Sequence, residues 1–237
     1  MGQSYFIWNG KDCRSMGVRL LGPVPIVRPE ERVKHVQIQG VSGDLTQTEG
    51  DQIYNSYIQT ASIHVTGWSK VREVFNWLKG EGYVTFSGEP DRKQKARIIG
   101  AVTLNKHSKN MDVWSGEVQF YCQPLKQKLI QDVVNITTNG ALFVNSGDVD
   151  EKPLIHMTTS GTSAVIDAGG RTLTMTGLTA STEYWIDCET MDVLNDGMSA
   201  SVLSQASGSF PIFPPGTSKI IGSGWSKLEI TRKERFL

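Results

Sequence analysis

Cysteine is scarce in this chain, and the three present, Cys13, Cys122 and Cys188, are odd in number and far apart. That excludes a disulfide framework and gives no paired metal-ligand spacing, so reduced thiols acting as small apolar side chains are expected. An excess of one charge is also missing: 24 Lys plus Arg balance 24 Asp plus Glu, which leaves no basic field to draw in nucleic acid or an anionic membrane. No apolar run approaches the roughly eighteen residues of a membrane helix. The start, Met1-Gly2-Gln3-Ser4-Tyr5-Phe6, has neither the charged region nor the apolar stretch of a secretory leader. The expectation is a chain made and folded in a cytosol.

Helical periodicity is nearly absent too. The exception is residues 69–80, where Val71, Val74, Phe75 and Leu78 recur at i, i+3, i+4 and i+7 while Lys70, Arg72, Glu73, Asn76 and Lys79 point away. Ser69 is placed as N-cap and Gly80 as the left-handed stop. The spacing predicts a core helix over 69–79, its apolar stripe covered by a sheet.

At 237 residues the chain is long enough for two domains of ordinary size. Its first half reads as an aromatic strand, an Asn9-Gly10 turn and a second strand at 18–21, broken by Pro23 and Pro25. Residues 26–39 fit an edge strand with Val36 and Ile38 on one face, and 40–45 a turn. Residues 46–60, polar with Tyr54 and Tyr57, are too long for a simple connection and predict an extended arm. Further strands are expected at 63–65, 83–86, 96–104 and 113–122. In the last, Trp114, Gly116, Val118, Phe120 and Cys122 share one face. The basic run 92–97 reads as a solvated hairpin.

Pro124 is expected to end that strand, closing a first domain at 1–124. Residues 125–138 read as a linker. From 139 to 237 come seven short strands, at 154–157, 164–167, 172–176, 184–190, 192–194, 219–221 and 227–231, cut by turns and without helical period. The predicted fold class is mainly β: an N-terminal β-sheet domain with one packed α-helix, then a C-terminal antiparallel β-sandwich.

Chemistry-bearing constellations are few. His35, His64, His107 and His156 stand singly, no phosphate-binding glycine loop precedes a helix, and Asp148, Asp150 and Glu151 lack the further ligands of a calcium loop and read as a solvated turn. The densest cluster is 184–190. There Tyr184, Ile186 and Cys188 should face inward, leaving Trp185, Asp187 and Glu189 outside, the two carboxylates roughly 7 Å apart by strand rise. That separation falls within the range of an inverting glycosidase pair, yet same-face neighbours on one strand are ordinarily its solvent side. Trp185 and Trp225 are the second domain's tryptophans, and with Asp187 and Glu189 they are its candidates for a glycan or partner contact. No catalytic, metal or cofactor site is expected, and the chain is not read as an enzyme.

Together, several stretches resemble the distal tail proteins of bacteriophage tails, over nearly the full length. They are Trp8-Asn9-Gly10, the glycine-bracketed turn from Gly40 through Gly43 to Asp44 and Leu45, the tyrosine-bearing arm, the helix ending Trp77-Leu78-Lys79-Gly80, and the stretch 118–124. In the second half they are 152–155, 185–187, 210–216 and 228–235. Where the family often has Pro-Gly-Arg, this chain has Gln39-Gly40-Val41, so an arginine contact at that turn is not implied. The resemblance implies a structural virion protein: a homo-oligomeric ring, a hexamer, that joins the tail tube protein to the tail-tip and receptor-binding proteins, with a second domain like a galectin or carbohydrate module. On this basis Gly40, Gly43, Asp44, Tyr54 and Tyr57 are candidate subunit contacts. Two readings remain, the ring hub and a sugar-binding module of a host-adhesion device; neither needs a cofactor, a membrane or sequence-specific nucleic acid.

Overall fold

The structure is a computed structural model and describes residues 4–237; Met1, Gly2 and Gln3 lie outside the described residues. The chain forms two compact units, one ending at Leu129 and the other spanning Ile130–Phe236.

In the first unit β1 (Phe6–Trp8), β2 (Lys11–Asp12) and β3 (Val18–Leu20) are followed by β4 (Val33–Gln37), β5 (Asp44–Thr48) and β6 (Tyr57–Thr66). Then come α1 (Trp68–Trp77), β7 (Glu81–Phe86), β8 (Arg92–Ser108) and β9 (Met111–Lys128). The main sheet follows the path β2-β1-β7-β8-β9-β6-β3, whereas β4 and β5 form a separate two-stranded sheet. Asn9 (φ 50°) and Gly10 (φ 78°) both have positive φ, the backbone a two-residue hairpin turn requires, and the turn pairs Trp8 with Lys11. The strand expected to return at 18–21 does not complete that hairpin. A 3-10 turn at Cys13–Met16 carries the chain away, and β3 pairs with β6 at the opposite edge.

Beneath the sheet Phe120 is fully buried, with ring centroids 5.4 Å from Phe6, 5.5 Å from Trp8 and 5.7 Å from Phe86. Helix α1 closes this core with Val71, Val74 and Leu78, all buried. Phe75 departs from expectation and is 40% exposed. The reason is Trp77, whose ring stacks on Phe6 at 5.6 Å and 4° and rotates the buried arc to the 71–74–77–78 side. The helix also starts earlier than expected. Gly67 rather than Ser69 is the cap, and the Asp112 carboxylate accepts the Trp68 N–H at 3.0 Å in place of a side-chain cap. Gly80 (φ 77°) turns the chain into β7.

Pro124 does not end β9. Ala96 faces Cys122 and Gln94 faces Lys126, so three residues of β9 oppose one of β8, and the proline lies in this bulge, where no ladder N–H is needed. β6 begins opposite Cys122 and leaves that side of Pro124 unpaired by it. The basic run 92–97 is not a solvated hairpin but the start of β8, with Gln94 and Ala96 buried.

The second unit contains β10 (Val133–Ile136), β11 (Ala141–Asn145), β12 (Leu154–Thr159), β13 (Ser163–Ala168) and β14 (Arg171–Thr176). It continues with β15 (Glu183–Asp187), β16 (Asp192–Leu194), β17 (Ala206–Gly208), β18 (Gly216–Ser223) and β19 (Trp225–Thr231). They build two five-stranded antiparallel sheets, β10-β19-β12-β15-β16 and β11-β18-β13-β14-β17. Ile155, Met157, Tyr184, Ile186, Leu228 and Ile230 of the first share one buried core with Phe143, Ile166, Leu173, Met175 and Ile220 of the second, the cross-section of a sandwich. All seven expected strands are present, that at 184–190 shortened; β10, β11 and β17 are additional. The stretch read as a linker, 125–138, holds the end of β9 and all of β10, whose Val134 and Ile136 face the core while Val133 and Asn135 are exposed.

Candidate functional site

The β4–β5 hairpin is the feature of the first unit least used by its own core. Gly40 (φ 83°) and Gly43 (φ 90°) supply the left-handed backbone of its end, where a Cβ would meet nothing within 4 Å, so conformation and not space calls for glycine. Asp44 follows as the first residue of β5, all five residues of which are exposed. The base is fastened by backbone bonds: Arg32 N–H to Ile53 O at 2.8 Å, Asn55 N–H to Glu30 O at 2.8 Å, and a bridge between Glu31 and Tyr54. The arm expected at 46–60 is therefore divided, with 46–48 in the hairpin and 57–60 in β6. Thr46, Gln47 and Thr48 alternate without an apolar face, and they pair with β4 instead of running free.

Of the five residues singled out for subunit contact, Gly40, Gly43 and Asp44 come together at the hairpin end and Tyr54 sits at its base. Tyr57 lies apart in β6, half-buried, its hydroxyl 2.9 Å from Gln94 Nε2 and 3.2 Å from Gln94 Oε1. Burial pushes its phenol up to about 12.

In the second unit Tyr184, Ile186 and Cys188 face inward as expected. Trp185 is directly opposite His156, and the rings stack at 4.1 Å and 7°. His156 reaches Glu229 through Nδ1 at 2.7 Å and Glu183 through Nε2 at 3.0 Å, and Lys227 Nζ lies 2.5 Å from Glu229. Trp225 is not brought to this face; its Nε1 donates to Val165 O of the other sheet at 3.1 Å.

Asp187 and Glu189 do not form the pair that one continuous strand would give. β15 stops at Asp187, whose Oδ1 accepts the Glu189 N–H at 2.9 Å and folds the chain into a turn. Lys233 Nζ then lies 3.3 Å from Asp187 and 3.4 Å from Glu189, and Arg235 also bonds Glu189. Burial raises both carboxyls, but for Asp187 the Glu189 N–H and the Lys233 charge outweigh it, and for Glu189 the Arg235 hydrogen bond and charge do, so each sits below its ordinary range. A general acid needs the opposite shift. This is an ion-pair cluster holding residues 233–235 to the β15 turn.

Glu151, read as part of a solvated turn, is instead fully buried, its Oε1 accepting the Lys233 N–H at 2.7 Å and its Oε2 3.5 Å from Arg232. Burial pushes its carboxyl up. The sequence leaves His156 standing singly and gives Glu229, Arg232, Lys233 and Arg235 no role in a site, because strand register and long-range return bring these partners in and no local pattern marks them.

The two kinds of carboxyl give acid responses of opposite sign. Asp187 and Glu189 have folded values below their unfolded ones, so their stabilisation is present above the unfolded value, roughly pH 4, and is lost as pH falls through the folded one. Glu151, raised, favours the fold as it takes up its proton. In thermal melts from pH 6 to pH 3, Glu189→Gln is expected to have a shallower acid decline than the parent; an identical decline would remove Glu189 from the cluster.

The thiols of Cys122 and Cys188 are buried and pushed up to about 12 by that burial, which leaves no thiolate at neutral pH. Among the described residues no group of three or more His, Cys, Asp or Glu side chains is placed to hold a metal ion, and no helix is long and apolar enough to cross a membrane.

No family model and no curated protein matches this chain. Its fold is similar, with a TM-score of 0.79 and 17% identity over 100% of both chains, to the crystal structure of the SPP1 Dit (gp 19.1) protein, described as a paradigm of hub adsorption apparatus in Gram-positive infecting phages.

Proposed function

We propose that this chain is a hub subunit of a phage tail tip, a structural virion protein without catalytic role. The first unit forms a homo-oligomeric ring, a hexamer, that joins the tail tube to the tip, and the second receives tip or adhesion proteins. The observation that carries this reading is the likeness of fold to the SPP1 hub protein from one end of both chains to the other. Supporting it are the exposed β4–β5 hairpin, which its own unit does not bury, and the lowered carboxyls of the second unit. Gly40, Gly43, Asp44 and Tyr54 are the subunit contacts in this proposal, with Tyr57 supporting them from β6.

Native mass measurement with negative-stain imaging tests it. A closed ring with a central hole and a hexamer's mass is expected. A chain that stays monomeric at high concentration and in the presence of its tail partners would overturn it.

The sugar-binding alternative meets a physical obstacle. One face of Trp185 is covered by His156 and Trp225 is bonded into the sandwich, which leaves no pair of open aromatic platforms. No saturable glycan binding is expected on an array of free sugars; binding that Trp185→Ala abolishes would restore that reading.

A further inference from the structure

Helix α1 carries a second stripe. Flanking Val71, Val74 and Leu78, about a quarter-turn round the helix, the side chains of Trp68, Arg72 and Phe75 follow at steps of four and three, with Lys79 just beyond the helix end, and Trp68 is 61% and Phe75 40% exposed. This aromatic surface is held in place. Trp68 packs on Trp114 at 5.0 Å, and Asp112 fixes both by accepting the Trp68 N–H and the Trp114 Nε1–H, each at 3.0 Å. Its charge is positive, because Lys70 is paired with Glu73 at 2.8 Å while Arg72 and Lys79 have no ion pair among the described residues.

The hairpin has the matching character. At the hairpin end, residues 36–47, Asp44 is the one charged side chain; Lys34 lies nearer the base in β4, and Glu49 beyond β5 is 3.9 Å from Arg32. Val36 and Leu45 are directly opposed on one face, which Ile38 continues by strand alternation, and Val41 stands at the end; Leu45 is 56% and Ile38 47% exposed. Apolar side chains of this size left open on a two-stranded hairpin mark a surface that is covered in an assembly.

We propose that the β4–β5 hairpin of one copy lies across the outer stripe of α1 on the next copy. Ile38 and Leu45 meet Trp68 and Phe75, and Asp44 meets Arg72 or Lys79. The occupant is a second copy of this chain, chosen by charge complementarity between two surfaces that the same chain carries. Because the two surfaces differ, the contact is head-to-tail and closes by rotation rather than in a symmetric pair. This inference rests on the ring reading above and names the contact that builds the ring.

The full chain tests it by cross-linking. Leu45→Cys and Phe75→Cys are made as separate variants; the native cysteines are buried and contribute little background. Mild oxidation of the mixture is expected to give a covalent dimer, and neither variant alone should give one. Arg72→Glu combined with Lys79→Glu should lose the ring, and mixing in Asp44→Lys should restore mixed assemblies. Rings that form without the Leu45–Phe75 cross-link, or that survive the double charge reversal, overturn this contact and leave the hub reading intact. Self-linking of either single variant also overturns it, by showing a symmetric contact. Chains monomeric in every mixture overturn both.

Discussion

Phe120→Ala is expected to cost the first unit about 3–5 kcal/mol, a fall in melting temperature of more than about ten degrees for a unit of this size. Phe120 is fully buried in β9, and Phe6, Trp8 and Phe86 all have ring centroids within 5.7 Å of it. Three aromatic neighbours from β1 and β7 cannot all move into the space it leaves, because each is fixed by a paired strand. The cavity therefore persists, and its cost adds to the lost burial. The control is Phe75→Ala on α1. Its ring is 40% exposed, and the change should stay within about 1 kcal/mol. Equal losses in the two variants would mean that the helix buries the face the bare i, i+4 spacing suggested, and that the role given to Trp77 is wrong.

That contrast shows how far the sequence could be read. The helix and three of its four stripe residues followed from spacing, because a repeat of 3.6 residues is a local property; its end did not, since the helix closes at Leu78, two residues before Gly80. Which flank the sheet covers is not local. It depends on Phe6, far away in sequence, offering a ring to Trp77. The Asn9-Gly10 turn was legible for the reason the helix was: two residues with positive φ need those side chains wherever they occur. The partner of β3 was not, since a 3-10 turn of ordinary composition sends it to the far edge.

Pro124 illustrates the opposite error. A proline forbids a ladder N–H, and the inference that the strand ends there is sound only if the ladder requires one. The bulge opposite residue 95 removes the requirement. Similarly, Asp187 and Glu189 share a face only if the strand continues, and the Asp187 carboxylate itself ends it by capping the turn. The inward set Tyr184, Ile186 and Cys188 was legible; the ion pairs with Lys233 and Arg235 were not, because they join residues more than forty positions apart.

Replacing residues 34–47 by an Asn-Gly turn is expected to abolish the ring while leaving the first unit folded. The shortened hairpin keeps the Val33–Thr48 pair, and a two-residue turn of that sequence matches the twist of the strands it joins. None of the deleted residues belongs to the buried core, so the melting temperature should move by no more than a few degrees. What the deletion removes is the exposed apolar face of Val36, Ile38 and Leu45 together with Asp44, the surface with no use inside the unit. Assembly and stability should therefore separate, with monomers by native mass measurement and a near-parental melt. A ring that survives the deletion would show that closure is built elsewhere on the sheet edges. A melt that collapses together with assembly would show instead that the hairpin supports the fold, and the case for it as a contact between copies would fail.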